Sequence, residues 1–64
     1  MSWSNCMKDK IVHHYGDEVK GCIDGITHGN LSKIAKCIAD ADKEADPFTI
    51  LTNLTEWSAE CLFG

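Results

Sequence analysis

No run of apolar residues in this 64-residue chain approaches the ~20 needed to cross a bilayer, so an integral membrane protein is not expected. No alternating apolar–polar stretch competes with helical spacing, so strands are not expected either. A C-x-x-C pair is missing, and with it the local signature of redox chemistry or a zinc knuckle. G-x-S-x-G, H-E-x-x-H and phosphate-binding glycine loops are all missing. Positive charge is scarce: six lysines face ten acidic residues, for a net charge of −4. Nucleic acid is therefore an unsuitable partner, because its binding is dominated by cationic contacts to phosphate. Near the start, Lys8 and Lys10 follow Trp3 with no apolar leader core. An exported form is accordingly expected to be the mature one, with Met1 a start added for expression.

What the chain does have is cysteine, at positions 6, 22, 37 and 61, one in each of four helix-like segments. A chain this short, read as one domain over residues 1–64, buries too small a fraction of its surface for the core alone to outweigh chain entropy. Disulfides in an oxidising compartment supply the missing stability.

Glycine and the single proline punctuate four segments. The first starts near Ser2 or Ser4 and stops at Gly16, with Trp3, Met7, Ile11, His14 and Tyr15 on one face. The second opens at Asp17 as N-cap, carries Val19, Cys22, Ile23 and Ile26, and ends at Gly29. The third is capped by Asn30 and has Leu31, Ile34, Ile38, Ala41 and Ala45 as its apolar stripe. The fourth begins Asp46-Pro47, an N-cap followed by proline at the first helical position. It runs through Ile50, Leu51, Leu54, Trp57, Cys61 and Leu62. An all-α, compact antiparallel four-helix bundle follows, since short turns make consecutive helices antiparallel.

That geometry selects among the three cysteine pairings. Cys22 lies seven residues before Gly29 and Cys37 seven after Asn30, so the two sit at one height. Cys6 and Cys61 lie near the two outer ends, which an up-down-up-down bundle brings together. Pairing Cys6 with Cys22 instead leaves a mismatch of ~6 Å, and pairing Cys37 with Cys61 is worse. The expected framework is Cys22–Cys37 nested inside Cys6–Cys61, worth roughly 3 and 4 kcal/mol in the chain-entropy model. Gly21, Gly25 and Gly29 recur every four residues beside Cys22. They are read as a close-packing stripe that lets two backbones approach to the 4.4–6.8 Å typical of bridged Cα atoms.

Candidate chemistry is thin. His13, His14 and His28 match no zinc spacing, and the cysteines are explained by cross-links, so neither metal nor cofactor is expected. The alternating acids Asp40, Asp42, Glu44 and Asp46 resemble half a calcium loop. The pattern fails at Ala45 and Leu51, where that loop needs glycine and glutamate. These acids are read as a solvated corner suited to a basic partner. Trp57 is expected in the core, with Trp3 and Phe63 near the ends as candidate interface anchors. Two glycosylation triplets occur, Asn30-Leu31-Ser32 and Asn53-Leu54-Thr55. A bundle this thin leaves little room for a catalytic pocket, so no enzyme activity is expected.

Four amphipathic segments with nested bridges resemble, in helix count and bridge nesting, a reduced saposin-like fold. That resemblance implies lipid binding or membrane activity. The chain is shorter than that family's and lacks its paired cysteines near each end. The leading expectation is a secreted, non-enzymatic interaction protein of the signal, toxin or effector kind. It would act on a protein receptor or target through Asp40, Asp42, Glu44, Trp3 and Phe63. A lipid-binding or antimicrobial bundle is the first alternative, and a small intracellular regulator with free thiols the second.

Overall fold

A computed structural model describes residues 2–23, 30–42 and 45–63. Ser2 starts the first helix by accepting a hydrogen bond from the Asn5 backbone N–H at 3.1 Å, and α1 runs Trp3–Tyr15. Gly16 ends it with φ at +103°. L side chains are strained in that region, so glycine is required there. A 3-10 helix follows at Asp17–Cys22, then α2 at Leu31–Ala41 and α3 at Pro47–Phe63. Asp46 caps α3: its Oδ2 accepts from the Thr49 backbone N–H at 3.3 Å and from the Thr49 hydroxyl at 3.2 Å. The described residues thus form four helices and no strand.

The elements close into a ring. α1 packs on the 3-10 helix, that helix on α2, α2 on α3, and α3 back on α1. Every element feeds one core: Met7 and Ile11 from α1, Val19 and Cys22 from the 3-10 helix, Ile34, Ala35 and Ile38 from α2, Ile50 and Leu54 from α3. Ile23, just past the 3-10 helix, is buried with them. Both bridges form as the height argument requires. Cys6–Cys61 has its Cα atoms 5.8 Å apart and Cys22–Cys37 has them 5.6 Å apart.

Several expectations are corrected. The second segment is a 3-10 helix rather than an α-helix over its described part, and Gly16 rather than Asp17 precedes it. Val19 and Gly21 are poor α-formers, and a three-residue period puts Val19 and Cys22 on the same side. Both are buried. Gly21 does not mediate close packing, because a Cβ added there meets nothing within 4 Å; Gly25 and Gly29 lie outside the described residues, as do Ile26 and His28. Asn30 stands at the start of α2, but its side chain makes no capping hydrogen bond. On α2 the buried stripe runs through Ala35 rather than Ala41, which is exposed.

Candidate functional site

The terminal half of the bundle is pinned by side chains on α1 and α3. The Trp3 indole N–H donates to Ser58 Oγ at 3.1 Å, and Lys10 Nζ meets Glu60 Oε1 at 3.2 Å. Asn53 Nδ2 donates to the Tyr15 hydroxyl at 3.1 Å. Trp57 is half-buried rather than a full core residue. Its ring meets those of His14 at 5.4 Å and Tyr15 at 6.0 Å in edge-on geometry. His14 itself remains exposed. These contacts make Trp3, which is half-buried, a strut between α1 and α3. Asn53 of the second glycosylation triplet is likewise engaged within the fold.

Phe63 is exposed, as an anchor must be, but the expected patch does not assemble. Asp40 and Asp42 lie at the C-terminal end of α2, next to the start of α3. Phe63 is at the far end of that 17-residue helix, about 24 Å away. Asp40 is exposed on a face of α2 that it shares with exposed Lys33 and Lys36, so that surface is of mixed sign. Glu44 lies outside the described residues. Among the described residues no three His, Cys, Asp or Glu side chains are grouped to hold a metal ion. No helix there is long and apolar enough to cross a membrane.

The structure instead draws attention to the outer face of α3. Its inner seam, Ile50, Leu54, Trp57 and Cys61, steps by four, three and four residues and faces the core. A second seam on the opposite side, Phe48, Thr52, Thr55, Ala59 and Leu62, steps by four, three, four and three. Every one of its residues is exposed. Phe48 is 81 % exposed, Leu62 57 % and neighbouring Phe63 90 %. The two acids of α3, Glu56 and Glu60, project to one side of this seam, leaving it free of charge. The Thr52 hydroxyl donates to the Phe48 carbonyl at 3.0 Å and the Thr55 hydroxyl to the Leu51 carbonyl at 2.8 Å. Their polar atoms are thus satisfied within the helix, and the seam loses little by being dried.

Beside Phe48, a groove of about 190 Å³ opens between α2 and α3, lined by Ser32, Ala35, Lys36, Pro47, Phe48 and Leu51. Phe48 and Leu62 are the site residues that sequence reasoning missed. Their signal was available in the near absence of charge along a helix whose apolar residues are too many for one buried stripe. Comparison of the chain with protein-family models, curated proteins and solved structures finds no match.

Proposed function

We propose that this chain is an exported, non-enzymatic interaction protein that works by surface contact, and that the outer face of α3 is its contact surface. The observation that carries this reading is the exposure of Phe48, Leu62 and Phe63 on a helix whose opposite face already supplies the core. Phe48 at one end of this uncharged face and Leu62 with Phe63 at the other are the large hydrophobic residues left in water among the described residues, and well-packed aromatic anchors carry much of the energy at contact sites. Export is supported by the two bridges, which persist in oxidising compartments.

Photo-crosslinking to intact source cells tests the proposal. A photoreactive phenylalanine analogue at position 48 should give one discrete protein adduct, and the same group at Glu18 on the 3-10 helix should give none. Equal labelling from both positions, or none from position 48, counts against it.

A lipid-binding role is the second reading, and the same apolar face is what favours it. The scarcity of Lys and Arg weighs against anionic membranes. Co-sedimentation with neutral phosphatidylcholine vesicles that is lost in Phe48→Ala/Phe63→Ala would favour the lipid reading over the protein one.

A further inference from the structure

The two bridges lie differently with respect to the surface. Cys22 is buried, at 5 % exposure, while its partner Cys37 is an exposed residue of α2. In mid-helix the backbone is hydrogen-bonded and covered, so that exposure belongs to the Cys37 Cβ and Sγ. The Cys22–Cys37 bond therefore runs inward from the surface, with the Cys22 sulfur beneath that of Cys37. Cys6 and Cys61 are both half-buried, and Cys61 packs against the core. Neither end of the outer bridge faces water as Cys37 does.

A disulfide opens when a thiolate attacks one sulfur and the other departs. The attack is in line, from the side opposite the departing sulfur. At the inner bridge that line reaches Cys37 Sγ through solvent, whereas the reverse approach to Cys22 Sγ crosses the core.

What surrounds the bridges favours the same one. Trp3–Ser58 and Lys10–Glu60 join α1 to α3 on either side of the outer bridge. These contacts hold Cys6 and Cys61 together after their bond opens, so it closes again. Among the described residues no hydrogen bond or ion pair joins the 3-10 helix to α2. The Val19 N–H donates to the Gly16 carbonyl and the Ile23 N–H to the Lys20 carbonyl, each at 3.4 Å. Both are longer than the usual range of about 2.7–3.2 Å. Once opened, the inner sulfurs are kept near each other by packing alone.

We infer that Cys37 is a site of S-thiolation, where a small thiol of the glutathione class opens the inner bridge while the outer one stays closed. The incoming thiolate forms a new S–S bond to Cys37 Sγ. The electron pair of the old bond leaves on Cys22 Sγ, which takes up the proton the thiol gave to solvent. One disulfide is exchanged for another, so no oxidant or reductant is consumed. A second thiol attacking the adduct carries the sulfur off as its own disulfide and leaves Cys37 reduced. The two electrons then come from the two thiols.

The test incubates the oxidised full chain with reduced glutathione from about 0.1 to about 10 mM, followed by acid quench, alkylation in denaturant and peptide mass mapping. The first product should carry glutathione on Cys37 and the alkyl group on Cys22, with Cys6–Cys61 still joined. Adducts on Cys37 should exceed those on Cys22 at least about tenfold. In denaturing urea burial no longer separates the two sulfurs, and the ratio should fall to within about twofold of one. A first adduct on Cys22, Cys6 or Cys61 overturns the inference. So does loss of both bridges with no one-bridge species, or an inner bridge untouched at the highest glutathione concentration. A preference for Cys37 that persists in urea also overturns it, because local sequence rather than the fold would then set the site.

Discussion

The two faces of α3 carry nearly the same spacing of residues and opposite duties. Ile50, Leu54, Trp57 and Cys61 face inward, where Ile50 and Leu54 are fully buried and Cys61 is bridged to α1. Phe48, Thr52, Thr55, Ala59 and Leu62 face outward and are exposed. Periodicity alone therefore does not say which seam builds the fold. The inner seam is marked by branched aliphatic residues and a cysteine aligned with one on α1. The outer seam is marked by threonines tied back to their own helix and by large apolar groups at its ends.

That contrast breaks most severely where the inner seam is cut. Replacing both Cys6 and Cys61 by serine opens a 55-residue separation and should cost about 4 kcal/mol. Equilibrium denaturation measures this, and a loss below about 1 kcal/mol would show that packing alone holds α1 to α3. Leu54→Ala, at a fully buried position, should cost about 3 kcal/mol. That lowers Tm by roughly 12–24 °C in a domain of this size. Asp46→Ala removes the cap on which both faces depend equally and should cost about 1 kcal/mol, read by the same denaturation. Ser58→Ala removes the acceptor of the Trp3 indole N–H and should cost about 0.5–1 kcal/mol. Phe48→Ala, on the outer seam alone, should change stability by less than about 0.5 kcal/mol.

Much of the fold was legible because its determinants are local. Ser2, Gly16 and Asp46-Pro47 each mark a boundary through one backbone requirement: a capping oxygen, a positive φ, or a missing N–H. The bridges were legible because helical rise converts sequence position into height, and only one pairing matches heights. The 3-10 helix was not legible, since Val19 and Cys22 suit an α-helical face and a three-residue period alike. The role of Trp3 was hidden for a different reason. Its partner Ser58 is 55 residues away in sequence, and nothing local to either residue announces the contact. The contact surface was half legible. Phe63 stood out as a terminal aromatic, whereas Phe48 sits one residue past the helix-starting proline and nothing local marks it as exposed. Its first-turn position, on the side away from Ile50, is what leaves it in water. The acidic corner attracted attention by charge density alone, yet the fold sets it at the opposite end of α3 from Phe63 and beside lysines.

Thermal unfolding of Phe48→Ala/Phe63→Ala bears most directly on whether α3 divides its labour between fold and contact. The account predicts a Tm within about 4 °C of the parent chain. A fall comparable to that of Leu54→Ala would contradict it, because the outer aromatics would then belong to the core.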